Sequence, residues 1–92
     1  MDEALLTMHC IVKGRVQGVF FRQSTLEQAR VLALNGWVRN LADGSVELVA
    51  SGRPSDIDQL KSWLKHGPKR AIVAEIEYLP CLEYTGSGFE IR

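Results

Sequence analysis

Apolar positions recur at two different periods along this chain, and the switches between them separate strand-like from helix-like segments. Leu5, Met8, Cys10 and Val12 follow the spacing of a strand with apolar side chains on both faces, which predicts a central, helix-covered strand over Leu5 to Val12. After a glycine-bearing turn, Phe21, Leu26, Ala29, Leu32 and Ala33 fall on one stripe of a helix running from about Arg22 to Leu34. Ser24 with Glu27 fits a capping box, so the helix start falls between Phe21 and Ser24. Asn35 and Gly36 tolerate left-handed backbone and are expected to end the helix.

Trp37 to Leu41 reads as a second strand, and Asp43-Gly44 is a two-residue hairpin signal leading into a third, Ser45 to Ala50, closed by Gly52. Pro54 and Ser55 open a second helix with the stripe Ile57, Leu60, Trp63 and Leu64, which Gly67 and Pro68 stop. Ile72, Ala74, Ile76 and Tyr78 alternate within a fourth strand, Ala71 to Leu79, and a polar loop from Glu83 to Gly88 precedes a short last strand, Phe89 to Ile91. The order is βαββαβ with one added strand. Two helices separated by a hairpin in this way belong on one face of an antiparallel sheet, so the expected class is an α+β, ferredoxin-like sandwich with an extra C-terminal strand. Such an architecture hosts enzymes, RNA binders and metal carriers alike, so function has to come from side chains.

Composition narrows the choice. Ninety-two residues, 46% of them hydrophobic, suit a single domain spanning 1–92, with one core and no room for a second. Eleven acids balance eleven bases, which argues against a nucleic acid or a membrane surface as main partner. The opening MDEALL is acidic with a short apolar run, unlike a signal peptide, and no stretch approaches membrane-spanning length, so cytoplasmic residence is the default expectation. Cys10 and Cys81 are too few for a disulfide scaffold and lack metal-site spacing; they read as buried free thiols, with a single bridge as the alternative. His9 and His66 have no partners at ligand spacing and receive no role.

The chemistry-bearing stretch is Gly14 to Arg22, GRVQGVFFR, a strand-to-helix turn with two glycines and two arginines. Glycines let a turn aim its N–H groups inward as a nest, and the free N–H groups of a helix start face the same point, which together make an anion site. Arg22 sharpens this, because a cation at a helix N-terminus opposes the helix dipole at a cost of roughly 0.3 to 1 kcal/mol unless an anion compensates. The alternative is an ordinary turn with two surface arginines. The turn has no GxxxxGK[ST] and no GxGxxG, and Cys10 with Arg15 is one residue short of a cysteine-phosphatase spacing, so a cysteinyl-phosphate mechanism is disfavoured. Phe20, Phe21, Trp37 and Trp63 are most simply core, and Arg15 and Arg39 are surface or rim charges. Asn40 is, on its own spacing, a turn former before Asp43-Gly44.

GRVQGVFFR followed by NGWVRNLADGSVELVASG and a C-terminal FEIR resembles the acylphosphatase family over nearly the whole chain. The pattern departs from the family at Leu34 and Asn35, which stand where a Gly-Leu type of helix end is expected. The resemblance implies hydrolysis of acyl phosphates to a carboxylate and inorganic phosphate, with no cofactor, no metal and no covalent intermediate. It implies that Arg22 and the backbone amides of Arg15, Val16, Gln17, Gly18, Val19 and Phe20 bind the phosphoryl group, and that Asn40 holds the attacking water. Inorganic phosphate or sulfate would occupy the same site, and the chain would act as a monomer on a small-molecule acyl phosphate. Three rivals share the fold. An RNA binder needs aromatic residues on its central strands, and the third strand, SVELVA, has none. A metal carrier needs a CxxC in the first loop, which is absent. The remaining alternative is a non-catalytic module that binds an acyl phosphate or carbamoyl phosphate for a partner enzyme.

Overall fold

The computed structural model describes residues 4–80 and 83–92. Its elements are β1 (Leu6–Arg15), α1 (Phe21–Val31), β2 (Asn35–Asn40), β3 (Val46–Gly52), α2 (Pro54–Leu64), β4 (Ile72–Leu79) and β5 (Phe89–Ile91). The strands form one sheet in the order β4-β1-β3-β2-β5. The three pairings from β4 through β1 and β3 to β2 are antiparallel, while the added strand β5 lies parallel to β2, with Gly36 opposite Phe89. The described part of the chain is therefore a ferredoxin-like α+β sheet that the last strand turns into a mixed one.

Both helices pack on one face. Met8, Cys10 and Val12 of β1, Val38 of β2 and Val46, Leu48 and Ala50 of β3 meet Phe21, Leu26 and Ala29 of α1 and Ile57, Leu60 and Leu64 of α2 in one buried cluster. The opposite side chains of β1, Thr7, His9, Ile11 and Lys13, are half-exposed, so only one face of this strand is covered by helices. Burial pushes the Cys10 thiol up to about 12, which makes it an inert core side chain. Cys81 lies outside the described residues.

Three boundaries differ from expectation for local reasons. Helix α1 ends at Val31, not at Asn35-Gly36, because Ala33 takes the left-handed conformation (φ 55). The Ala33 N–H then donates to Arg30 O and the Leu34 N–H to Ala29 O, a Schellman closure built on alanine in place of glycine. Asn35 and Gly36 consequently open β2, where a Cβ on Gly36 would stand 1.9 Å from Val49 O. The hairpin after β2 is also longer than two residues, since the Leu41 N–H donates to Ser45 O (2.9 Å) around Ala42, Asp43 and Gly44. Finally, β4 does not keep one alternation. Lys13 pairs with Glu75 but Gly14 pairs with Val73, and this bulge reverses the phase so that Val73 and Ile76, not Ile72 and Ala74, pack against the core. No helix among the described residues is long and apolar enough to cross a membrane.

Candidate active site

The chain leaves β1 through a point where only glycine fits. A Cβ on Gly14 would lie 2.2 Å from Ile72 O, and its φ of +131 suits no other residue. The following turn is pinned by two apolar pegs, Val16 and Val19, both buried in the core. Between and after them Gln17, Gly18 and Phe20 stay on the outside, with Gly18 (φ 74) and Phe20 (φ 63) in the left-handed region. Phe20 is the N-cap residue of α1 and offers no capping side chain, and the first turn of the helix carries no acid. Ser24 lies inside the helix, its N–H donating to Phe20 O (3.0 Å), so the Ser24-Glu27 capping box does not form. The helix starts at the early limit of the expected range because Phe21, 2% exposed, is drawn into the core beside Trp63.

Among the described residues, no backbone N–H from Val16 to Phe20 donates to a backbone carbonyl outside regular elements. The first N–H groups of α1 lack intrahelical partners by construction. The mouth of the helix is thus a cluster of unpaired donors with a positive dipole end and, at Arg22, a guanidinium. These groups border a cavity of about 360 Å³ lined by Val16, Gln17, Gly18, Phe20, Phe21, Arg22, Gln23, Asn40 and Ile91. Four of the six turn residues expected to bind phosphate, Val16, Gln17, Gly18 and Phe20, are on its wall together with Arg22 and Asn40. The other two are not: Arg15 is the last residue of β1, opposite Ile72, and the Val19 side chain is directed into the core.

Asn40 reaches this cavity from the end of β2, where it pairs with Val46. What ties its hairpin to the turn is a side chain that sequence spacing did not single out. The Gln17 amide Nε2 donates to Leu41 O and to Ser45 O, each at 2.8 Å. Both acceptors flank the loop next to Asn40, so one glutamine locks the turn to the hairpin. Asp43 braces that loop from within by accepting from the Ser45 N–H (3.0 Å).

Phe20 is a correction. It was expected in the core, yet it is 73% exposed on the cavity rim, while Phe21 beside it is buried. Trp37 and Trp63 are half-buried, and Trp37 sits on the open face of the sheet with the guanidiniums of Arg39 and Arg92 at 5.2 and 5.0 Å from its ring centroid. That face also holds a network no spacing predicted. Glu47 accepts from His9 Nε2 and from Arg39 Nε, both at 2.7 Å. Burial pushes the Glu47 carboxyl up, but these hydrogen bonds and the charge on Arg39 outweigh it and hold the group below its ordinary value. Among the described residues, no three His, Cys, Asp or Glu side chains converge as metal ligands would.

A ferredoxin-like sheet with a cleft lined by Arg22 and Asn40, where its first strand turns into its first helix, defines the class of protein. Comparison with known proteins narrows this further. The acylphosphatase family model matches residues 8–91. An acylphosphatase of Pseudomonas paraeruginosa is 52% identical over 91 residues, covering 97% of this chain and 98% of that protein. The structure of an acylphosphatase from Coxiella burnetii superposes with a TM-score of 0.91 at 42% identity, covering 96% of this chain and 93% of that one. The acylphosphatase from Bacillus subtilis gives 0.88 at 33% identity, with 97% and 99% coverage. The chain belongs to the acylphosphatase family, hydrolases of class EC 3.6.1.7.

Proposed function

We propose that this protein hydrolyses the carboxyl-phosphate anhydride of small acyl phosphates, with Arg22 and the turn amides from Arg15 to Phe20 as the phosphoryl site and Asn40 as the holder of the attacking water. The observation that carries this reading is that Arg22 and Asn40, from separate elements, line one cavity with the turn. The chemistry asks little more of the protein. Water oxygen attacks phosphorus, the bond from phosphorus to the acyl oxygen breaks, and its electron pair leaves on a carboxylate whose conjugate acid has a pKa of about 4. Such a leaving group needs no general acid, and the two water protons pass to the product phosphate and to solvent. Phosphoryl transfer then depends on positioning and charge stabilisation. Fixed N–H donors and one planar guanidinium supply the charge, since the fork of an arginine can meet two phosphoryl oxygens at once. The Asn40 carbonyl accepts from water while its amide donates, so it orients the nucleophile without ionising.

On this reading 1–92 works as one domain and a monomer in the cytoplasm, needs no cofactor, and binds inorganic phosphate or sulfate in the same cleft. The test is benzoyl phosphate hydrolysis by the purified protein. Turnover is expected to be undiminished by a chelator and nearly level across roughly pH 6 to 8, because Arg is charged and Asn neutral throughout. Arg22→Ala and Asn40→Ala, checked for folding, are each expected to lose on the order of a hundredfold or more. A requirement for added Mg²⁺, a steep bell near neutrality, or near-parental turnover by either variant refutes it. Binding without turnover would make the chain a carrier module.

A further inference from the structure

We propose that Phe20 determines acyl specificity, and that the cleft prefers acyl phosphates carrying an aromatic ring or an extended apolar chain over acetyl phosphate; this rests on the function proposed above. Three observations meet at this residue. Its ring is 73% exposed, its backbone is left-handed (φ 63), and it lines the same cavity as Arg22 and Asn40. An exposed apolar side chain alone carries no such meaning, since single ones are common on protein surfaces. A bulky one in left-handed backbone is another matter. Glycine adopts that conformation freely, as Gly18 does two residues earlier, and every other side chain adopts it at a cost. The turn needs a left-handed residue here to start α1, and the chain fills the position with a phenylalanine that buries little of itself. Strained residues of this kind concentrate where a ligand completes the surroundings.

The cavity has room for that ligand. A volume of about 360 Å³ is roughly a dozen times the share of one water in the liquid, far more than a phosphoryl group fills. Of the large apolar residues lining the cavity, Val16 and Phe21 are buried, while Phe20 and Ile91, the latter 37% exposed at the end of β5, remain open. A phosphoryl group held by the turn places its acyl substituent within a cleft whose lining includes an exposed aromatic ring and an exposed branched aliphatic. An aryl or long alkyl group can cover both, and a methyl group cannot. Offset or edge-to-face packing on Phe20 adds to this for an aromatic acyl group.

The experiment compares kcat/KM for benzoyl phosphate and acetyl phosphate in the parent, Phe20→Ala, Phe20→Gly and Phe20→Tyr. Both substrates present the same phosphoryl group, so a change in the turn's backbone moves both alike and leaves their ratio untouched. Phe20→Ala and Phe20→Gly are expected to lower the benzoyl-to-acetyl ratio about fivefold, while Phe20→Tyr keeps it within twofold of the parent. Phe20→Gly relieves the backbone, so its urea midpoint at or above the parental one separates loss of the ring from loss of fold. A ratio in the Ala and Gly variants within twofold of the parent, or an equal fall in Phe20→Tyr, overturns the proposal. If the parent hydrolyses neither substrate, the proposed function itself falls; if it hydrolyses both and the ratio does not move, only this inference does.

Discussion

Gln17 is the side chain whose loss tests most directly whether the cleft is held in shape from outside. Its amide donates to Leu41 O and Ser45 O at 2.8 Å each, and nothing else described joins the turn to the hairpin by a side-chain hydrogen bond. Two such bonds contribute about 0.5 to 1.5 kcal/mol apiece. Neither carbonyl is orphaned by their loss, because Leu41 O also accepts from the Gly44 N–H and Ser45 O from the Leu41 N–H. Gln17→Ala is therefore expected to cost about 1 to 2 kcal/mol in urea unfolding, the lower part of the range. Its effect on benzoyl phosphate hydrolysis should be larger in proportion. Asn40 and the turn are then free to drift apart, and a misplacement near 1 Å can reduce rate on the order of a hundredfold; a fall in kcat/KM of about tenfold to a hundredfold is expected. Gln17→Glu separates the hydrogen bonds from mere packing. A carboxylate in that place faces two carbonyl oxygens and adds negative charge to the wall of an anion site, so it should be worse than alanine in both stability and turnover. An alanine variant with the parental midpoint and kcat/KM within twofold, or a glutamate variant no worse than alanine, would refute the reasoning.

Ala33→Gly should stabilise the protein by about 1 kcal/mol in the same unfolding assay, since Ala33 occupies the left-handed closure of α1 (φ 55) where glycine has no Cβ penalty; a lower midpoint would refute it. Gly36→Ala should have the opposite effect, above about 3 kcal/mol, because the new Cβ would meet backbone at Val49 O and C, at 1.9 and 2.8 Å, with no flexible side chain to yield; soluble, parental-like protein would contradict this. Glu47 sets an acid limit. Its folded carboxyl lies below the ordinary 4.5, so the stability it contributes is present above that value and is lost as pH falls through the folded pKa. Unfolding free energy of the parent should therefore drop below about pH 4.5 more steeply than that of Glu47→Gln, and parallel profiles would show that the network plays no part.

Element order was legible because the switches between period two and period three-to-four survive any detail of packing. Helix ends were less so. Asn35-Gly36 looked like the better stop for α1, and what overrode it was a tertiary demand, Leu34 entering the core (2% exposed) while Gly36 was needed beside the Val49 backbone. The phase of β4 was hidden because it depends on a bulge opposite Gly14, a residue in another strand. The His9-Glu47-Arg39 network was invisible for a related reason: cross-strand partners follow from the strand order β1-β3-β2, which no local period encodes. At the cleft, the turn and Arg22 stood out from local chemistry, whereas Asn40 stood out only through the family resemblance, since its spacing suits an ordinary turn former. Phe20 was misplaced because two adjacent phenylalanines look alike in sequence, and only a left-handed N-cap decides which of them points outward.

The interposition of β3 between β1 and β2 has a consequence for how this molecule matures. The two halves of the cleft never pair with each other; each is indexed to a common central strand, Val12 and Asn40 both opposite Val46. A slip of two residues on either ladder, about 6.6 Å along the strand, preserves the inward and outward faces yet carries one half out of reach of the other. Collapse alone thus yields no cleft, and the return of turnover during refolding reports the moment when both ladders have found their final alignment.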